Sequence, residues 1–287
     1  MNTMPTPRTA PDGGLIPFPI SHRYIVELDE SLHVLWSTWL DSGKPCFSHD
    51  LLQDMQYGIS TIMDGTFPAS ESLRYFVMRS RWPDVFTLGA DLGYFQQMIL
   101  SQDRQALMAY ARQSADMMHA LHSGFGKGVV SIAMVQGRCV GGGFEAAVAC
   151  DYIFAERHSE FSFPEIQLGI FPGMGALPLL AGRLSRSDYE EICHSGKTFT
   201  ADELKAIGVV DFVVETGDGE RAVVDFVKKR HGAFRSHQAM AAIRKRASRL
   251  SLSDFHDGLE CWVDLVMSLE KRRIALLSLA AQKQSIA

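Results

Sequence analysis

The chain has 287 residues, 46% hydrophobic and 21% charged, an ordinary globular balance with room for one large domain or two smaller ones. A net charge of -5 gives no basis for nucleic-acid binding, and no apolar run reaches the ~18 residues of a membrane-spanning helix. The five cysteines, Cys46, Cys139, Cys150, Cys193 and Cys261, are odd in number with no CxxC pair, so they predict reduced thiols in a cytoplasmic protein rather than a disulfide framework or a zinc site.

Residues 1–20, "MNTMPTPRTAPDGGLIPFPI", place prolines and polar residues where a signal peptide needs an apolar core, and predict a disordered tail. "YIVELDE" and "LHVLWSTWL" read as two strands of a hairpin around a polar break. "SLRYFVMRS" and "DVFTLGAD" are two more strands, the second ending in a glycine turn. Residues 103–122 have helical periodicity, with Leu107, Tyr110, Ala111, Ala115, Met118 and Leu121 on one stripe. "GFGKGV" reads as a loop. "GVVSIAMVQG" is a continuous apolar strand of the kind covered on both faces. A glycine-led helix, "GGGFEAAVA", follows, then strands "YIFAER" and "EFSF". Helices "ADELKAIG" and "RAVVDFVKKR" flank the strand "VVDFVVE", and from about residue 235 the pattern is helical to the end. The order predicts an α/β chain: tail 1–20, core 21–220 of strand–strand–helix units, and a helical C-terminal region 221–287.

Two glycine turns follow strands, at Leu88-Gly89-Ala90 and at Gly141-Gly142-Gly143. A turn leading into a helix exposes free backbone N–H groups, and two of them converging on one oxygen make an oxyanion hole. The plain alternative is a pair of tight turns needed only for packing. Neither turn has the GxGxxG or GxxxxGK[ST] spacing of a nucleotide loop. Glu145 lies in the first turn of the apolar helix, and Glu165 stands in the equally apolar "SFPEIQLGIF". Burial raises a carboxyl pKa, so two such groups suit general acid–base work. Each could equally be a helix cap or a salt-bridge partner.

Through "FTLGAD", "SIAMVQGRCVGGGFEAAVACDYIFAERHSEFSFPEIQLGIFPGMGA" and "LLAGRLSRSDYEEICHSGKTFTADELKAIGVVDFVV" the chain resembles the crotonase (enoyl-CoA hydratase/isomerase) superfamily. The resemblance implies a crotonase-type ββα spiral with a helical C-terminal region that assembles trimers or dimers of trimers. It implies a thioester substrate, no cofactor and no metal. Hydratases of that family carry a glutamate after the GGG turn and a second in a "PE" turn twenty positions later, which map to Glu145 and Glu165. The oxyanion donors map to Gly142 and to Ala90 or its neighbour Gly89. "LGADL", "GGGFEAA", "FPGMGA" and "LECWVDLVMSLEKRR" are closest to one branch, the bacterial diffusible signal factor synthases. That branch dehydrates a 3-hydroxyacyl chain on acyl carrier protein and hydrolyses the thioester, releasing a cis-2-unsaturated fatty acid signal.

On this reading Phe171, Met174, Leu177, Trp262 and Met267 are candidates for an acyl pocket. Arg244, Lys245, Arg246 and Arg249, with Lys271, Arg272 and Arg273, are candidates for a face toward an acidic carrier protein. Which glutamate is acid and which base stays open. Two other functions stay in view. One is a hydratase or isomerase acting on coenzyme A thioesters. The other is a non-catalytic regulatory protein that keeps the fold to bind a partner; a regulatory partner of the enzyme is also compatible with the sequence.

Overall fold

A computed structural model of the chain describes residues 14–248 and 250–285. In chain order the strands are β1 (Ile16–Pro19), β2 (Tyr24–Asp29), β3 (Val34–Trp39), β4 (Tyr75–Ser80), β5 (Val85–Thr87), β6 (Val130–Val135), β7 (Arg138–Val140), β8 (Tyr152–Glu156), β9 (Glu160–Ser162), β10 (Thr198–Thr200) and β11 (Phe212–Val214). One sheet runs β1-β2-β3-β4-β6-β8-β11, antiparallel up to β3 and parallel beyond it. The other runs β10-β9-β7-β5, parallel except at β10.

Helix α1 (His49–Met63) precedes β4, and α2 (Leu92–Ser101) and α3 (Arg104–Ser123) follow β5. Then come α4 (Gly142–Ala149), α5 (Glu165–Leu168), α6 (Ala176–Ala181), α7 (Arg186–His194) and α8 (Ala201–Ala206). The pairs β4–β5, β6–β7 and β8–β9 each send the first strand to the larger sheet and the second to the smaller, and each pair is followed by helix. That is the ββα spiral of the crotonase fold.

Strand β6 shows why the apolar run is continuous. Val130, Ile132 and Met134 pack into one core cluster, while Ala133 and Val135 pack into the other, so both faces are covered. The predicted stripe of α3 is buried at every position from Leu107 to Leu121, and Asp103 caps its start. The "GFGKG" stretch is a single wide turn closed by a bond from the Val129 N–H to the Gly124 carbonyl.

The structure adds β1, α1, α2, β7, α5, α6, α7 and β10 to the elements expected from the sequence, and β1 and α1 are the two that most extend the sheet and its cover. Residues 16–19 of the expected tail form β1, with Ile16 opposite Leu28. Phe18 is buried with its ring 5.0 Å from that of Phe67, and both prolines sit on an edge strand, where a missing N–H is tolerated. Residues 1–13 of that tail lie outside the described residues. Helix α1 was absent from the predicted elements, yet Ser48 caps it and Leu51, Leu52, Met55, Ile59 and Ile62 form its buried face.

The C-terminal region consists of α9 (Gly219–Arg230), α10 (Phe234–Ser248), α11 (Leu252–His256), α12 (Leu259–Met267) and α13 (Lys271–Gln284). It folds back onto the spiral: α12 packs on α3 and α13 on α2, and Leu259, Trp262, Val263, Val266 and Leu277 join the main core. Arg244 and Lys245 both pair with the buried Asp151 carboxylate, at 3.1 and 2.7 Å. Arg249 lies outside the described residues. Arg273 donates to the Gln167 carbonyl, while Arg246, Lys271 and Arg272 are exposed. Among the described residues no helix is long and apolar enough to cross a membrane.

Candidate active site

The two glycine turns meet. Gly89 has a φ of 78°, and a Cβ there would fall 2.6 Å from the Val140 carbonyl oxygen and 2.9 Å from the Gly142 nitrogen. Only a residue without a side chain lets the turns approach this closely. The three consecutive glycines have three different reasons. Gly141 has a φ of 54°, and its hydrogen faces the Glu165 carboxylate, where a Cβ would stand 2.7 Å from Oε1. Gly143 packs on β5, where a Cβ would lie 2.4 Å from Thr87 Cγ2. Gly142 is under neither constraint: its φ lies outside the left-handed region, and a Cβ would meet the Ala90 nitrogen at an ordinary 3.6 Å. The backbone nitrogens of Ala90 and Gly142 are thus neighbours at one cavity, and neither N–H donates to a protein acceptor among the described residues. Two such donors can share one carbonyl oxygen.

Glu145 is 2% exposed, in the first turn of α4. Its Oε1 accepts from the Met174 N–H at 2.9 Å and the Ala176 N–H at 3.4 Å. Both donors come from the "FPGMGA" segment, bent by Gly175 at a φ of 118°. Burial pushes the Glu145 carboxyl up to about 7, against the lowering effect of those two bonds. Glu165 opens α5. Its Oε2 is shielded from solvent and has no hydrogen-bond partner among the described residues. Burial first, then the neighbouring charge of Glu145, pushes Glu165 up to about 8. The structure therefore brings together Glu145, Glu165, Ala90, Gly141 and Gly142 around one cavity of about 260 Å³. Gly89 shapes that site from behind the Gly142 nitrogen.

Phe171, Met174 and Trp262 line the same cavity. The Trp262 ring lies against Gly173, where a Cβ would come within 2.3 Å, and its N–H donates to the Phe171 carbonyl at 2.9 Å. Leu177 and Met267 are not among the lining residues; both are half-buried against the main core. Met267 is five residues from Trp262 on α12, a rotation of about 140° that puts it on another face. Leu177 is three residues from Met174, but the left-handed Gly175 interrupts the helical register between them.

The wall also contains residues not singled out from the sequence as site residues, notably Phe95, Ser114 and Gln284, together with Tyr110 and Met118 of the α3 stripe. The Tyr110 hydroxyl donates to the Phe47 carbonyl at 2.6 Å and the Ser114 hydroxyl to the Tyr110 carbonyl at 3.0 Å. With these hydroxyls engaged, the wall offers a mostly apolar surface. The described residues include no group of three or more His, Cys, Asp or Glu placed to hold a metal ion.

Comparison with known proteins gives the family. The family described as enoyl-CoA hydratase/isomerase matches residues 47–257. A crotonyl-CoA hydratase of Syntrophomonas wolfei is 26% identical over 246 residues, 86% of each chain. An enoyl-CoA hydratase of Geobacillus kaustophilus superposes with a TM-score of 0.72 over 94% of this chain and 97% of its own, at 18% identity. Pseudomonas aeruginosa DspI superposes with a TM-score of 0.65 over 85% of this chain and 96% of its own, at 25% identity. With the family matching most of its length, the chain belongs to the enoyl-CoA hydratase/isomerase family, the crotonase superfamily.

Proposed function

We propose that the protein is a lyase that adds water to a 2-enoyl thioester of coenzyme A, and removes it in reverse. The observation that carries this is the unequal pair of carboxylates. Glu145 receives two backbone N–H bonds, which favour its ionised form, whereas Glu165 has an unpartnered Oε2 and the higher pKa. Glu145 is then the base and Glu165 the acid. Glu145 takes a proton from water, whose oxygen bonds to the β carbon. The π electrons move onto the thioester oxygen, which the Ala90 and Gly142 N–H groups stabilise. Glu165 protonates the α carbon as the carbonyl re-forms. Moving a double bond along the chain needs only one carboxylate as a proton shuttle; water addition uses both. The apolar wall suits an unsubstituted aliphatic tail.

The pair requires one group ionised and the other protonated. Hydration, followed as loss of the conjugated thioester absorbance, is therefore expected to follow a bell in pH. Its limbs should fall near the values of about 7 and about 8 that the pair adopts. A rate that stays flat across that range would exclude the two-carboxylate mechanism.

The dehydratase–thioesterase acting on acyl carrier protein is the second reading. The "FPGMGA" segment supports it as one of the stretches in which the chain resembles the diffusible signal factor synthases, and here it lies in the site, where it supplies both donors to Glu145. It ranks second because the crotonyl-CoA hydratase that aligns over most of the chain is named for a coenzyme A thioester. In addition, Arg244 and Lys245 of the basic face are engaged with Asp151. Offering matched 3-hydroxyacyl thioesters of coenzyme A and of carrier protein separates the two: free acid released only from the carrier protein would favour the second. Assembly through the C-terminal helices belongs to both readings. Met240 and Ile243 of α10 and Leu276 and Leu279 of α13 are large apolar side chains left exposed. A trimer or dimer of trimers is the expected species, and a monomer in sedimentation at micromolar concentration would count against it.

A further inference from the structure

We infer that Gln284 is a positioning residue that holds the oxyanion turn from the last turn of α13; this rests on the reading that the Ala90 N–H polarises the thioester carbonyl. Gln284 is 5% exposed, although it lies near the end of the chain. Its Oε1 accepts from the Leu92 N–H at 3.1 Å, and its Nε2 donates to the carbonyls of Leu88 at 3.0 Å and Ala90 at 2.8 Å. One side-chain amide thus spans the turn with three bonds. Only this orientation of the amide satisfies two acceptors and one donor.

The peptide that matters is the one joining Gly89 to Ala90. Its carbonyl accepts from the Phe47 N–H at 2.7 Å, which holds its own N–H, trans to that carbonyl, away from the Phe47 nitrogen. Gln284 holds the carbonyls of the peptides on either side, from Leu88 and from Ala90. A left-handed glycine gives a turn several alternative peptide orientations, so the direction of that N–H depends on its neighbours being held. Phe47 and Gln284 together leave the peptide one orientation. Gln284 forms part of the cavity wall but has no hydrogen bond to either carboxylate, and all three of its side-chain bonds go to the turn.

The test uses Gln284→Met, which keeps length and bulk but removes all three bonds, and Gln284→Glu, which sets a carboxylate against two carbonyls. Each is compared with the unmodified enzyme by thermal unfolding and by kcat and KM with a 2-enoyl-CoA. The third measurement is the absorption of a bound 2,4-dienoyl-CoA, which moves to the red as its carbonyl is polarised. The expected result is a folded protein whose kcat falls about 10- to 100-fold, less than the ~10²–10³ of deleting a donor outright. KM should change little, the red shift should shrink, and the glutamate should be the worse of the two. Variants that melt earlier but keep the parental kcat and red shift would overturn the inference and leave Gln284 a packing residue. No red shift in the unmodified enzyme would overturn the oxyanion reading itself, and this inference with it.

Discussion

Glu165→Gln is expected to lower the hydration rate by ~10²–10⁴ while making the folded chain less sensitive to alkaline pH. The rate falls because the amide has no acidic proton to deliver to the α carbon. The stability effect follows from the raised carboxyl, which moves from 4.5 to about 8 on folding. Below its unfolded value the group is protonated in both states. Between the two values the unfolded chain releases a proton that the folded chain keeps, so stability falls as pH rises through that window and levels off above it. Glutamine removes this loss. Urea unfolding of parent and variant at about pH 6 and about pH 9 measures it, and the gap should move in favour of the variant at the higher pH. An unchanged gap would mean that Glu165 is ionised in the folded protein, and its role as the acid would fail. Glu145 behaves differently, because its carboxylate also supports the fold. Glu145→Ala strands the Met174 and Ala176 N–H groups, and leaving buried donors unpaired costs about 1–3 kcal/mol. Glu145→Gln keeps an acceptor there and isolates the loss of the base.

Gly142→Val is expected to lower turnover by ~10²–10³, equivalent to roughly 3–4 kcal/mol of transition-state stabilisation, with little change in melting temperature. The backbone at Gly142 is one a branched residue can adopt, and the first atom added lies at ordinary contact distance from the Ala90 nitrogen. On the proposed mechanism the side chain takes the space that the thioester oxygen needs between the two donors. Its neighbours supply the contrast. Gly89→Ala and Gly141→Ala both put a Cβ on a left-handed backbone and into a contact under 3 Å, so both should lose stability first. A Gly142→Val protein that melts far earlier than the parent, with its surviving fraction turning over at the parental rate, would remove Gly142 from the oxyanion hole.

Much of this molecule is legible locally. The run in β6, the stripe of α3, the hairpin of β2 with β3 and the glycine-led start of α4 all follow from period, polarity and turn residues within a few positions. Helix α1 carried the same kind of signal in its apolar spacing and its capping serine. Strand β1 could not be read this way. Two prolines mark a tail unless an edge position and a buried Phe18 contact are available, and only the neighbouring strand and Phe67 provide those. The two glutamates could be named as candidates from the sequence, but their unequal surroundings could not. That asymmetry comes from two N–H groups about thirty residues away that reach one carboxylate and not the other. The split between pocket and core residues, with Trp262 in and Met267 out, is likewise a matter of which helix face turns inward. Gln284 marks the limit: its three bonds cross more than 190 positions, and no local pattern around a glutamine in a polar last turn announces them. The sequence by itself determined the strands, helices and turns with a strong period or turn signature, because those preferences are short-ranged. Which groups face one another across the cavity was decided by tertiary packing, because burial and hydrogen bonding act on whatever the fold brings within 3 Å.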